Sequence, residues 1–578
     1  MKAIVVGSGA GGSVAAMTLA EAGWDVTVFE KGPNLFTNLA GPGPIGTVFS
    51  NDELRSKFRY FEDPDPLVWP RTFRASADRP AGPPGSVAEL PQLVGGGTVH
   101  WDAKTPRFWD IDFRQRSAFG PVPGADVRDW PLEYTELAPY YDDVEALIGV
   151  QGDVGAMPAF VLKHAPRSGP FPMPPGPQQR SSQVLADGAR AMGWQPFPIP
   201  AAINSRRYDD RPACNNCGFC AMHGCPILAR AGALAPLRRA LRTGRVELVP
   251  DTMVTRVVLR GGRARGVQWT RLTERGREDG RLDADVVVLA ASAIETVRLA
   301  LLSGLPDASG RLGQRLMLHF YVALSGIFLQ ERLHPHRGRA ATQCIEEFAD
   351  PDFDGATEFA RRCHLPYLRG GLTELGIGLE PITEAKIYQR LLRTMRPGQP
   401  FGSAFKQLMR GSPLRDRMAK AAMVGSDLPY RENDVTLDPD VRDVYGLPVP
   451  RVTYALKEHE RAAQVFYFTK IYSLIKAAGA DLIGMLPLDE NDPPDSVHVM
   501  GGMPMGADEA TSVCDPYGRV HGTENVYVAD ASVFVTSGAQ NPTLTLMALA
   551  LRSMRQLAGT VPTAAPIADP DHSAVITR

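Results

Sequence analysis

The 578-residue chain contains no run of about eighteen apolar residues, the length a helix needs to cross a bilayer, so no membrane-spanning segment is expected. It has no marked charge of either sign. Lys and Arg total 62 against 64 Asp and Glu, a net charge of −2, which gives no reason to expect a nucleic-acid or anionic-membrane partner. The first residues carry no basic stretch, apolar core or cleavage pattern, so a cytoplasmic location is expected, or export only alongside a small signal-bearing partner subunit. Cysteine is scarce: seven in all, an odd number, with four crowded into twelve residues. That excludes a disulfide scaffold and points to a metal or redox loop. Internal repeats are absent, and no second dinucleotide fingerprint follows the first, so a nicotinamide partner is not expected. What is abundant is Gly (56) and Pro (50), which mean many loops, while a 44% hydrophobic content argues against disorder. The length suits two domains, each with a sizeable core.

The chain is organised around its first thirty-two residues. Lys2 to Val6 is a short apolar run, the length of a buried parallel strand. It breaks into Gly7-Ser8-Gly9-Ala10-Gly11-Gly12, which fits G-x-G-x-x-G, and an Ala-rich helix over Ser13 to Ala22 is stopped by Gly23. A second strand, Asp25 to Phe29, ends on Glu30. Gly7 permits the tight turn, Gly9 lets a pyrophosphate approach the backbone, and Gly12 lets helix and strand pack closely. The helix N-terminus adds unpaired N–H groups and positive dipole, and Glu30 would accept hydrogen bonds from an adenosine ribose. A bare glycine fingerprint is weak evidence, but here it lies between the strand and the helix it requires.

Residues 33–91 show little periodicity, with Asp63-Pro-Asp-Pro66 and Pro80 to Gly85 as loop punctuation. Leu93-Val-Gly-Gly-Gly-Thr-Val-His-Trp101 places three glycines just before His100. A helix is expected to run into Ile148 from the segment beginning at Trp130. Residues 152–212 are Pro-rich and lead to Cys214-x2-Cys217-x2-Cys220-x4-Cys225-Pro226. A helix over Ile227 to Arg242 is expected next. Strands at Val246 to Val249, Val254 to Val258 and Ala264 to Trp269 then read as a meander, before a buried strand within Ala284 to Ala291 and a helix to Ser303. Near the end, His498 precedes Gly501-Gly502-Met-Pro-Met505-Gly506. A strand ends on Asp530, and Asn541-Pro542-Thr543 opens a long helix with Asn541 as its expected cap and Pro542 as its first residue. That helix N-terminus would suit an anionic ring edge nearby.

Taken singly, His100, His498 and Asn541 read as loop histidines and a cap. Together with the fingerprint, Gly95-Gly96 with His100-Trp101, Ala290 to Thr296, Gly310 to Met317 with His319, and Val528 to Ser532, they form a specific order. The chain thereby resembles the glucose–methanol–choline (GMC) oxidoreductase superfamily over nearly its whole length. It is most similar there to gluconate-dehydrogenase-type and pyranose-oxidase-like sugar enzymes, as Asn433 to Pro439, Asp443 to Gly446 and Trp69 to Arg74 suggest. One departure is Gly502-Met503-Pro504, where relatives usually carry Thr and Arg.

The resemblance implies an α/β fold: a Rossmann-like FAD-binding domain and a second α+β substrate domain built on an antiparallel sheet. The expected division is 1–135, 205–315 and 495–560 for FAD binding, 136–204 as an excursion, 316–494 for substrate and 561–578 as a loose tail. FAD would be held by Gly7, Gly9, Gly12, Glu30, Gly96, His100, Trp101, Val254, Asp530, Asn541, Pro542 and Thr543. Relatives attach FAD through histidine at the position of His100, or bind it noncovalently; both modes stay open here. His498 and Asn541 would be the catalytic pair. Oxidising an alcohol removes a hydroxyl proton while hydride leaves carbon for flavin N5. A neutral imidazole is the natural base near neutral pH, and Asn541 can hold the oxygen but not take the proton. The substrate is expected to be a sugar, glycoside or polyol.

Cys214, Cys217, Cys220 and Cys225, then Pro226, nearly match the ferredoxin run, apart from one extra residue in the last gap. Thiolates suit zinc or iron–sulfur. An iron–sulfur cluster, of the 3Fe–4S type known in some of these relatives, would pass electrons to an external acceptor such as a cytochrome. A zinc clasp or a metal-free loop is the alternative. Two further functional readings stand: an oxygen-using oxidase with idle cysteines, and an electron-transfer flavoprotein subunit that needs neither His498 nor Asn541.

Overall fold

The computed structural model describes residues 1–48, 68–220, 223–377, 385, 402–412, 416–484 and 496–560, apart from positions 86, 89 and 336. The Asp63 to Pro66 punctuation and the 561–578 tail lie outside the described residues. Among those described, no helix is long and apolar enough to cross a membrane.

Five parallel strands form the first sheet. Their order is Val526–Val528, Val286–Leu289, Lys2–Val6, Asp25–Phe29 and Val246–Val249. The inner strands are covered on both faces, which is why Val286–Leu289 is uninterruptedly apolar and fully buried. The expected Rossmann-like α/β architecture is therefore present. Val246–Val249 leaves the expected meander and becomes the outer strand of this sheet instead. The meander consists of Met253–Arg260, Arg263–Thr273 and Gly276–Asp283, paired antiparallel.

The fingerprint helix spans Ala10–Glu21, beginning three residues before the expected Ser13. Gly11 and Gly12 belong inside it because neighbouring chain leaves them no room for a side chain. A Cβ on Gly11 would lie 1.6 Å from the Ala529 carbonyl oxygen, and one on Gly12 would lie 2.0 Å from that of Gly7. This helix packs against Leu234–Arg242 and Thr543–Ala558. The helix expected from Ile227 starts only at Leu234. Gly232 just before it is pressed so close to Thr98 that a Cβ would lie 2.5 Å from that side chain.

The second sheet has six strands in the order Leu482–Gly484, Phe320–Ile327, Met418–Gly425, Thr373–Ile377, Gln343–Ile345 and Phe197–Pro198, all antiparallel. Phe320–Ile327 alternates buried and half-buried residues along its length. Phe320, Val322 and Leu324 join a core with the helices Arg180–Ala191 and Glu458–Ala477, while Tyr321 points to the opposite face. That opposite face roofs the cavity described next.

Candidate active site

One long cavity runs from the carboxyl ends of the parallel strands to the roofing sheet, the usual place for a ligand in an open α/β sheet. Gly7, Gly9, Glu30, Gly96, His100, Trp101, Val254, His498, Asp530, Asn541, Pro542 and Thr543 all line it. Gly12 does not. It lies behind the turn, where it permits the close contact with Gly7.

At the nucleotide end, Gly9 and Gly96 bring two glycine turns together. A Cβ on Gly96 would sit 3.1 Å from Gly9 Cα, whereas one on Gly9 would meet nothing within 4 Å. This bare backbone at a helix N-terminus is a cradle for a pyrophosphate. Glu30 is buried at the end of its strand, and its carboxylate accepts from Ser8 N (3.1 Å), Ser8 Oγ (2.7 Å) and Gly32 N (3.0 Å). Burial pushes its pKa up despite those donors. Ser8 Oγ in turn accepts from Gly95 N at 3.1 Å, so one hydroxyl joins the acidic residue to the second glycine turn. Ser8 carries no signal in the sequence, because it occupies an unconstrained position of the fingerprint. Asp530 holds the turn after its strand by accepting from Ser532 N and Oγ, and from Thr296 Oγ1 at 2.5 Å. These residues fit FAD: an open phosphate cradle, a ribose acceptor and a neutral histidine at the ring end. That histidine, His100, is buried with its Nδ1 unpartnered, and burial followed by the charge of Arg230 pushes its pKa down to about 3.

At the far end lie His498, Asn541 and Tyr321. His498 Nδ1 is 3.0 Å from His319 Nδ1 and 3.1 Å from the Tyr321 hydroxyl. His319 Nε2 lies 3.1 Å from the Ser537 carbonyl oxygen, which can only accept. Burial, then the nearby His498, drives the His319 pKa well down, so that ring is neutral. Its single proton belongs on Nε2, leaving Nδ1 bare to accept the Nδ1–H of His498. The Nε2 of His498 is then the unprotonated nitrogen. Burial and then the charge of Lys104 push the His498 pKa down to about 3, so the neutral form prevails at physiological pH.

Asn541 departs from its expected role as a cap. The helix is Thr543–Ala558, its cap position is Pro542, and no side-chain oxygen caps it. The Asn541 amide turns away instead and donates from Nδ2 to Glu374 Oε1 at 3.3 Å, leaving its buried Oδ1 without a partner. Glu374 and Lys104, both lining the cavity, were not singled out from sequence. Glu374 lies in a stretch with no motif, and Lys104 follows three residues behind Trp101 as one charge among many.

The metal centre expected at Cys214, Cys217, Cys220 and Cys225 is not formed. Among the described residues, no group of three or more His, Cys, Asp or Glu side chains is placed to hold a metal ion, and all seven cysteines are free thiols. Burial pushes the Cys220 thiol up to about 12 and raises Cys214 as well. As placed among the described residues, the four thiols do not form a ligand set for a cluster. The loop is nonetheless fastened to the cavity wall. The buried Arg230 guanidinium donates to the carbonyl oxygens of Cys220, His223 and Val99, the last being the neighbour of His100.

Profiles described as GMC oxidoreductase match residues 125–321 and 429–550, together more than half of the chain, and one described as an NAD(P)-binding Rossmann-like domain matches residues 5–66. The fructose dehydrogenase large subunit of Gluconobacter japonicus is 27% identical, over 95% of this chain and 96% of its own. The 2-methyl-1,2-propanediol dehydrogenase of Mycolicibacterium austroafricanum is 28% identical, over 95% of this chain and 94% of its own. Among solved structures, pyridoxine 4-oxidase from Mesorbium loti superposes with a TM-score of 0.60 at 17% identity, covering 97% of this chain and 99% of its own, which is a likeness of fold.

Proposed function

Because the chain belongs to the GMC oxidoreductase family and is thus an FAD-dependent oxidoreductase, we propose that it oxidises a CH–OH group of a neutral sugar, glycoside or polyol, with His498 as the base. The observation that carries this reading is the His319–His498 contact. It leaves an unprotonated imidazole nitrogen in the same cavity as the dinucleotide cradle.

FAD would be held by Gly9 and Gly96 at the pyrophosphate, Glu30 at the ribose, and His100, Asn541 and Pro542 around the ring. When bound, it supplies the hydride-accepting chemistry. Everything else falls to the chain. His498 Nε2 takes the hydroxyl proton, and its Nδ1–H stays shared with His319 Nδ1 as the ring becomes positive. His319 in turn keeps its Nε2–H on the Ser537 carbonyl, so the relay holds one proton pattern throughout. The Asn541 amide orients the substrate, and the roofing sheet closes the cavity from above and limits water. The unpartnered Nδ1 of the neutral His100 supports a covalent histidyl link to the flavin.

The names of two relatives, a fructose dehydrogenase and a 2-methyl-1,2-propanediol dehydrogenase, favour polyhydroxylated and vicinal alcohols. A pure electron carrier would need neither His498 nor Asn541 in the cavity, so that reading loses support. The test is a panel of D-fructose, D-glucose, alkyl glucosides, 2-methyl-1,2-propanediol and D-gluconate with an artificial acceptor, with and without oxygen. Turnover of a neutral polyol supports the reading. No turnover of any alcohol refutes it, and hydrogen peroxide formation at the same rate would make the enzyme an oxidase.

A further inference from the structure

Beside Asn541 in the cavity wall lies a chain of charges centred on a buried lysine. Lys104 Nζ, with only 1% of the side chain exposed, is paired on one side with Asp102 and on the other with Glu374. An ammonium withdrawn from water is costly unless both its charge and its protons are satisfied, so this pairing fixes Lys104 in place. Asp102 and Lys104 belong to the loop that follows His100 and Trp101. Glu374 comes from the strand Thr373–Ile377 of the roofing sheet. The three residues therefore stitch the loop at the FAD ring to the roof of the cavity.

We propose that Lys104 and Glu374 are positioning residues for the catalytic pair: Glu374 sets which end of the Asn541 amide faces substrate, and Lys104 holds His498 in its base form. This rests on the reading of His498 as the base. The first half follows from hydrogen-bond polarity. Glu374 gives Oε2 to Lys104 and Oε1 to Asn541, and both contacts require acceptors on Glu374. An amide that donates Nδ2 to a carboxylate must turn its carbonyl oxygen the other way. Asn541 Oδ1 is accordingly buried and unpartnered, and it lies beside the cavity as a free acceptor for a substrate hydroxyl. Among the described residues nothing else on Asn541 fixes this choice, since the side chain does not cap its helix.

The second half follows from charge. Among the described residues, the groups that face His498 are the neutral His319 and the Tyr321 hydroxyl at its Nδ1, and Lys104, which lines the same cavity and is itself flanked by Asp102 and Glu374. Lys104 is the cation of that set. Burial lowers the His498 pKa most, and the Lys104 field adds to it by opposing a second positive charge on the imidazole, which favours the form that can accept a proton. Pairing with two carboxylates keeps Lys104 itself protonated, with its pKa above the ordinary lysine value.

The test uses FAD-loaded protein with 13C-labelled histidine, in which the His498 signal is assigned by its loss in His498→Gln. In the wild type, His498 stays neutral down to the acid edge of the folded range. In Lys104→Met the cation is gone and Asp102 and Glu374 are left uncompensated. Both changes favour imidazolium, so the His498 titration moves up by about one unit or more. The acid limb of the flavin-reduction rate moves with it. A purely structural role would alter stability but leave that titration where it was, and an unmoved titration overturns the Lys104 assignment. Glu374→Gln provides the second arm and stands alone if Lys104→Met does not fold. Its carbonyl can keep Lys104, which turns an NH2 toward Asn541 and forces that amide to reverse. With the panel alcohol that bleaches the wild-type flavin fastest, reduction should slow by about 10²-fold, while FAD content and melting temperature hold. Reduction within two-fold of wild type overturns the Glu374 assignment. If no alcohol bleaches the wild-type flavin, the proposed function fails, but the histidine titration still decides the Lys104 claim.

Discussion

His319 and His498 meet nitrogen to nitrogen, Nδ1 to Nδ1 at 3.0 Å, with their rings nearly perpendicular at 86°. Two neutral imidazoles can share that contact in one way only, with one donor and one acceptor. The Ser537 carbonyl on the far side of His319 decides which is which. Replacing His319 by Ala leaves His498 Nδ1 beside the Tyr321 hydroxyl, which can donate as well as accept, so the His498 tautomer is no longer fixed. Flavin reduction in His319→Ala should fall by about 10-fold to 10²-fold with substrate affinity little changed. Transient kinetics check this; an unchanged rate would mean that the tautomer is set elsewhere.

The pH dependence follows from the same geometry. His498 must be unprotonated to act, and its pKa is lowered to about 3. Activity is therefore lost as pH falls through the folded-state value, not as it rises. The rate of flavin reduction should be flat from neutral pH down to about pH 5, below the ordinary histidine value of about 6.5. A half-maximal point near 6.5 would show that His498 is not held in this environment.

Ser8 is expected to matter for both cofactor and stability. Ser8→Ala removes one donor to Glu30 and leaves the Gly95 N–H without its acceptor. The cost should be about 1–3 kcal/mol. Weaker FAD retention and a lower melting temperature would register it, and a variant matching wild type in both would contradict the linkage.

His100 gives a test that needs no substrate. Acid precipitation of the holoprotein should leave the yellow colour in the pellet, and His100→Ala should release it to the supernatant. Colour released from the wild type would remove the covalent link while leaving the FAD seat intact.

The parallel sheet was legible because its strands are buried on both faces. Lys2–Val6, Asp25–Phe29 and Val286–Leu289 each announce themselves as short apolar runs. The helix start at Ala10 was not, because local propensity counts Gly11 and Gly12 as breakers, whereas contacts with Ala529 and Gly7 demand them. The same limit hid the partners of the catalytic pair. His498 and Asn541 lie in recognisable motifs, but Lys104 and Glu374 are 270 residues apart in sequence and meet only through the fold. Asn541 illustrates the converse. Asn-Pro before a helix reads locally as a cap, yet a carboxylate from the other sheet captured the amide. The cysteine spacing suggested ligands, but spacing along the chain does not fix where thiols point.

The most direct measurement is anaerobic mixing of the FAD-loaded enzyme with a neutral polyol from the panel, following loss of the visible flavin band in wild type and in His498→Ala. Rapid bleaching is expected in the wild type and a rate about 10²–10⁴-fold lower in the variant, with FAD still bound. Bleaching of the variant within a few-fold of wild type would contradict it.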